Sequence, residues 1–167
     1  MTIPCSGRVW TLEEASQNGY DKEGVEFLEQ LIGDFLDFRF LMGRKFAFRP
    51  PRTIVIGPSE PFWRLLVLHE VGHAICKHKC FRMDVERLKM ENQAWEEAHR
   101  LALRYGVKVD EDLIQNELDT YRDWLHQKSR CPICRLTRFQ TPDSQYHCPR
   151  CEEFISSQGH DERYDRP

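Results

Sequence analysis

Apolar side chains recur at three- and four-residue intervals along much of this 167-residue chain. That interval places them on one face of an α-helix. The pattern predicts four helices, at about residues 24–40, 60–77, 83–105 and 111–127. Ser59 is suited to cap the start of the second helix, and Gly106 to end the third. These helices form the body of the predicted fold.

Two short segments between the first two helices have the pattern of β-strands. Side chains alternate over residues 44–49, and residues 53–56 form an apolar, β-branched run. One proline pair, at residues 50 and 51, and a Gly-Pro step at residues 57 and 58 separate these segments from their neighbours. The order of one helix, two strands and three helices predicts an α+β fold with a small antiparallel sheet beside a helical body.

The composition is that of a globular protein without a membrane span. Hydrophobic residues make up 40% and charged residues 31% of the chain, close to the averages for globular domains. No stretch approaches the roughly 20 apolar residues that cross a bilayer. The first residues also lack the basic start and apolar run of a secretory signal. We therefore expect a cytoplasmic protein that makes no membrane contact.

The second predicted helix contains the sequence His-Glu-Val-Gly-His at residues 69–73. Residues four apart lie on the same helical face, so His69 and His73 are placed to bind one metal ion. Glu70 follows the first histidine, and its carboxylate can take a proton from a zinc-activated water and pass it to the leaving amine. The alternative is a buried helix with two hydrogen-bonded histidines. The pattern predicts a catalytic zinc with Glu70 as general base.

A catalytic zinc needs a third protein ligand, and helical phasing selects it. With residue 88 at zero and about 100° per residue, one stripe of the third helix lies between roughly 220° and 340° and contains Ala94, Trp95, Ala98, Leu101, Ala102 and Tyr105. Glu91 falls near 300° within that arc, whereas Glu96 falls near 80° and His99 near 20°. A carboxylate among apolar side chains is costly unless it is paired or bound to metal. Glu91 is therefore the predicted third ligand.

Some alternatives around this site remain open from the sequence. Glu91 would otherwise form an ion pair with an arginine such as Arg100 or Arg104. The residue that stabilises the oxyanion is left open, among the candidates His78, His99, Tyr105 and Tyr121. A separate metal site formed by Cys76, His78 and Cys80 is also conceivable.

The histidine motif together with Glu-Asn-Gln-Ala-Trp-Glu-Glu-Ala at residues 91–98 resembles the ImmA/IrrE family of zinc metallopeptidases. The resemblance covers about residues 25 to 105. It implies a compact gluzincin-like fold in which Glu91, in the Glu-x-x-Ala segment, completes the zinc site. It also implies proteolysis that acts on a regulatory protein such as a transcriptional repressor.

Two matched Cys-x-x-Cys pairs lie near the C-terminus. The residues are Cys131, Cys134, Cys148 and Cys151. Four thiolates close a tetrahedral zinc shell and leave no position for a substrate, so this second zinc is predicted to be structural. The segment resembles a zinc ribbon. Iron suits the same ligands, and free thiols or a redox pair are the alternative.

Residues 126–151 carry five basic side chains and one acid, although the whole chain has a formal charge of −3. Phe139 and Tyr146 are aromatic residues within that segment and are candidates for stacking. This composition suits contact with DNA or with an acidic protein. The alternative is a solvated module whose basic residues face the acidic remainder of the chain.

These features predict a zinc metallopeptidase that hydrolyses a peptide bond in a cytoplasmic protein substrate. One alternative is a SprT-like protease that acts on DNA-bound proteins, for which His99 would replace Glu91 as ligand. Another is a non-enzymatic regulator that keeps the zinc fold as a scaffold. The predicted divisions are an N-terminal extension at 1–19, the peptidase domain at 20–127, the ribbon at 128–154 and a polar tail at 155–167.

Overall fold

The structure is a computed structural model that describes residues 17–151 and the backbone of residues 154 and 155. The helices in this part of the chain are α1 (Lys22–Asp34), α2 (Trp63–Ile75), α3 (Asp84–Tyr105) and α4 (Glu111–Ser129). The strands are β1 (Arg39–Met42), β2 (Ala47–Arg49), β3 (Thr53–Ile56), β4 (Phe139–Gln140), β5 (Tyr146–His147) and β6 (Phe154–Ile155). The α+β class is confirmed. Most of the N-terminal extension and nearly all of the polar tail lie outside the described residues.

Of the two predicted helix-end signals, Gly106 is confirmed and Ser59 is not. The side chain of Asp110 accepts a hydrogen bond from the backbone of Leu113 at the start of α4. Gly106 has a φ of 64° and ends α3, as predicted. The start of α2 was predicted too early: the helix begins at Trp63, after Phe62 has taken a left-handed conformation with a φ of 65°. Ser59 is therefore not its N-cap.

The first sheet has the strand order β1-β3-β2 and is mixed, so the prediction of an antiparallel sheet was wrong for one pair. The pair β2 and β3 is antiparallel, but β1 runs parallel to β3. The sequence pattern places residues 39 and 40 at the end of the first helix, because the apolar spacing continues past Asp34. In the structure these two residues begin β1. A strand forms only when it pairs with a partner, which here is distant in sequence. Strand β3 pairs with β2 along one edge and with β1 along the other.

The described chain divides into two compact units. The first takes the described residues up to Lys79 together with Gln93–Val109, and the second takes Cys80–Asn92 and the described residues from Asp110 onward. The helix α3 is continuous through the boundary. Among the helices of the described part, none is long and apolar enough to cross a bilayer.

Candidate metal centres

The motif His-Glu-Val-Gly-His lies on α2, a helix that is almost completely enclosed. The ten residues 65–74 are all buried, because apolar side chains surround the polar ones on every face of the helix. Within this setting His69 is 2% exposed and Glu70 and His73 are each 4% exposed. Three ionisable side chains on one buried helix are costly unless they serve a site, so the burial favours a functional role.

The two histidine rings meet edge to face with their Nε2 atoms 3.0 Å apart. Two nitrogens bound to one tetrahedral zinc at about 2.0–2.1 Å would be about 3.3 Å apart. The indole of Trp95 stacks on His69 with ring centroids 4.0 Å apart, and Phe48 lies parallel to His73 at 6.4 Å. These aromatic contacts hold both imidazoles in an orientation that suits a shared ion.

Gly72 lets α3 approach α2 more closely than a side chain would allow. A Cβ added at Gly72 would lie 2.4 Å from the carbonyl oxygen of Ala94. Only glycine permits this contact. The contact fixes α3 against the histidine helix at a point one turn from Glu91.

Glu91 is 7% exposed and lies in the apolar stripe of α3, as its phasing predicts. Ligand atoms of His69, His73 and Glu91 lie within 4.8 Å of one another, and we call these three residues the histidine site. The two arginines considered as ion-pair partners for Glu91 pair elsewhere, Arg100 with Glu97 and Arg104 with Asp34. The histidine site has the composition of a catalytic zinc centre with three protein ligands.

His99 is not a member of the metal-competent groups found among residues 17–151. The proposed cluster of Cys76, His78 and Cys80 is also absent from those groups. One candidate for oxyanion stabilisation is engaged elsewhere, since the Tyr105 hydroxyl donates a hydrogen bond of 2.6 Å to Asp34. The ring of a second candidate, Tyr121, is buried under the guanidinium of Arg87.

His78 contacts the histidine site, although it follows the end of α2. Lys77 takes a left-handed conformation with a φ of 56°, and the backbone N–H of His78 then donates to the carbonyl of His73. This cap folds the chain back and brings the Nδ1 atoms of His78 and His73 within 2.8 Å. The Nε2 atom of His78 lies 3.1 Å from Oε1 of Gln93. The sequence made His78 a candidate for oxyanion stabilisation but did not predict these contacts, because a lysine at a left-handed cap position has no distinctive pattern.

The second group is formed by the four ribbon cysteines, which we call the ribbon site. The sulfur atoms of Cys131 and Cys151 are 4.0 Å apart, and those of Cys134 and Cys148 are 3.5 Å apart. Sulfurs on one tetrahedral zinc at about 2.3 Å would be separated by about 3.8 Å. The backbone N–H of Cys134 lowers the pKa of the Cys131 thiol, whereas hydrogen bonds to the neighbouring thiols raise the pKa of Cys151.

A buried polar cluster supports the ribbon within the second unit. Asp84, at the start of α3, accepts a hydrogen bond of 2.7 Å from the hydroxyl of Tyr146 and pairs with Lys128 at 3.1 Å. Its backbone N–H donates to the side chain of Gln140. Burial and the bond to Asp84 raise the pKa of Tyr146 well above its usual range. Strands β4 and β5 are thus tied to helices α3 and α4.

The same cluster corrects one prediction about the ribbon surface. Tyr146 is 3% exposed and lies beneath the guanidinium of Arg138, so it is not available for stacking with a nucleic acid. Phe139 is exposed, as are Arg130 and Arg135. The accessible basic surface is smaller than the sequence indicates, because Lys128 and Arg138 act within the fold.

Comparisons with models of protein families, with curated proteins and with solved structures find no match to this chain.

Proposed function

We propose that this chain is a zinc-dependent metallopeptidase that hydrolyses a peptide bond in a protein substrate. The observation that carries the proposal is the histidine site: two imidazoles and one carboxylate converge in a buried setting, and the buried Glu70 follows His69 on the same helix. Two histidines and a glutamate are a donor set that suits catalytic zinc and leaves one position for the reaction. The ribbon site, with four sulfurs, suits a second zinc that is structural.

Each residue of the site has a defined task in this proposal. When bound, zinc acts as a Lewis acid that polarises the scissile carbonyl and lowers the pKa of water, so that the water can lose a proton and attack. His69, His73 and Glu91 hold the ion. Glu70 takes the proton from the attacking water on its carboxylate and delivers it to the nitrogen of the leaving amine. The buried helix excludes bulk water, which strengthens the electrostatic interactions within the site.

The position of Glu91 supports the gluzincin-like architecture and the ImmA/IrrE resemblance over the SprT-like alternative. In the SprT-like case a histidine would complete the site, and His99 is not grouped with His69 and His73 among the described residues. Cleavage of a regulatory or repressor protein remains part of the proposal. The exposed Phe139, Arg130 and Arg135 of the ribbon supply a surface for recognising an acidic partner or DNA.

The test replaces Glu70 with Gln and follows cleavage of a peptide library by mass spectrometry. Loss of a general base costs about 10²–10⁴-fold in rate, and we expect at least this loss while two zinc ions per chain are retained. Glu96→Gln is the matched control, since Glu96 is exposed on α3 and should leave cleavage intact.

Unchanged cleavage by the Glu70→Gln variant would refute the assigned mechanism. A wild-type chain that holds two zinc ions but cleaves no peptide in the library would instead favour the non-enzymatic regulator.

A further inference from the structure

His73 faces a histidine on each side of its ring. Its Nε2 atom lies 3.0 Å from Nε2 of His69, in the histidine site, and its Nδ1 atom lies 2.8 Å from Nδ1 of His78. On the far side of His78, the Nε2 atom lies 3.1 Å from Oε1 of Gln93. Gln93, His78 and His73 therefore form a continuous row of hydrogen-bonding atoms that ends at the histidine site.

The direction of these hydrogen bonds follows from the acceptor at the outer end. The amide oxygen of Gln93 only accepts, so the Nε2 of His78 carries the hydrogen and donates. A neutral imidazole has one N–H, which leaves the Nδ1 of His78 as an acceptor. The Nδ1–H of His73 must then donate to it, because two nitrogen lone pairs do not face each other at 2.8 Å unless a hydrogen or a metal ion lies between them. The lone pair of His73 is thereby left on Nε2, the atom that faces His69.

We propose that His78 and Gln93 are positioning residues for the metal, which hold His73 in the tautomer and ring orientation that binds through Nε2. This inference deepens the proposed zinc site and rests on it. Imidazole ligands of zinc generally donate their other N–H to an oxygen acceptor, which also makes the ligand more basic. Here a second histidine takes that place, and a glutamine in turn fixes the tautomer of that histidine.

The backbone places both residues for this task. The left-handed Lys77 turns the chain back over the end of α2, and the N–H of His78 is bonded to the carbonyl of His73 itself. Gln93 precedes Ala94, whose carbonyl lies against Gly72. The acceptor is therefore set by the same close helix contact that brings α3 to the histidine site.

The first measurement is of the tautomers, by long-range ¹H–¹⁵N NMR of the imidazoles in the zinc-loaded full chain. We expect His73 to carry its hydrogen on Nδ1 and His78 on Nε2, with a ¹⁵N–¹⁵N coupling across the hydrogen bond between the two Nδ1 atoms. Gln93→Leu should release the tautomer of His78 and weaken that coupling. A His78 that carries its hydrogen on Nδ1 in the wild-type chain would overturn the proposal.

The second measurement is zinc affinity, by competition with a chelator. Loss of an outer partner of a zinc ligand typically lowers metal affinity about 10–100-fold, and we expect a loss in this range at the histidine site for Gln93→Leu and for His78→Phe. Gln93→Glu keeps an acceptor oxygen and should bind zinc at least as tightly as the wild type. Gln30→Leu makes the same change at an exposed position of α1 and should have no effect.

The outcomes separate this inference from the proposed function. Gln93 is exposed, so its variants should fold, and a urea titration checks that they do. Full zinc affinity in Gln93→Leu, or equal losses in Gln93→Leu and Gln93→Glu, would overturn the positioning role of His78 and Gln93. Neither result would contradict the proposed zinc site. A wild-type chain that binds no zinc at His69 and His73 would overturn both the proposed function and the positioning role of His78 and Gln93.

Discussion

Replacing Gly72 with alanine tests whether the close approach of α2 and α3 assembles the histidine site. The added Cβ would lie 2.4 Å from the carbonyl oxygen of Ala94, whereas ordinary contact begins at 3.4 Å, so the helices must separate by about 1.0 Å. The clash is with backbone, which cannot rotate away as a flexible side chain does. The movement is therefore passed to the part of α3 that carries Glu91.

A displacement of about 1 Å is large for a metal ligand, since ligand distances in zinc sites hold within about 0.2 Å. We expect Gly72→Ala to lose the zinc at the histidine site, so that metal content falls from two ions per chain to one. Overpacking of this kind also costs about 1–3 kcal/mol in the free energy of unfolding. Metal content by mass spectrometry and urea unfolding at a fixed zinc concentration measure the two effects.

Gly33→Ala is the matched control for this experiment. A Cβ at Gly33, on α1, would meet nothing within 4 Å. Alanine is favoured over glycine in a helix by about 1 kcal/mol, so this variant should keep both zinc ions and gain slightly in stability. If Gly72→Ala binds two zinc ions with wild-type affinity, the reasoning that links the glycine contact to the site is refuted.

Two further predictions concern each metal centre and its support. Glu91→Ala should lower the zinc content from two ions per chain to one, while Glu96→Ala keeps both; two tightly bound ions in the Glu91 variant would show that another residue completes the site. Tyr146→Phe removes the buried hydroxyl that donates to Asp84, and a hydrogen bond to a charged group contributes about 1.5–3 kcal/mol. Urea unfolding should show that loss, with a smaller one for Tyr105→Phe, whose hydroxyl bond lies at the surface; equal losses would contradict the assigned role of the Asp84 cluster.

The elements predicted best are those whose signal is contained within one turn or one strand. The run at residues 53–56 became β3 with the same bounds, and Gly106 ends α3 because its left-handed conformation is a local preference. The phasing of Glu91 also held, since a helix fixes which side chains share a face. Its role as a zinc ligand stays a prediction, together with the roles of His69, Glu70 and His73.

Sequence reasoning failed where a feature depends on two distant segments. The sequence does not predict strand β1, because within residues 17–151 it pairs with β3 alone and its own apolar spacing continues that of α1. The sequence predicts Tyr146 as a candidate for stacking at the surface. In the structure its hydroxyl donates a hydrogen bond to Asp84, 62 positions away, and the side chain is buried. Composition counts basic and aromatic residues without showing which of them are used internally.

The sequence by itself determined the candidate ligand sets: two histidines and a glutamate at helical spacing, and four cysteines in two matched pairs. It determined them because ligand chemistry and helical periodicity are local properties. The tertiary structure alone decided that His78 lies within hydrogen-bonding distance of both His73 and Gln93. These contacts require a left-handed cap after α2 and the close approach of α3 to Gly72. A hydrogen bond between residues on separate elements depends on how those elements pack. The spacing of residues within one segment does not predict that packing.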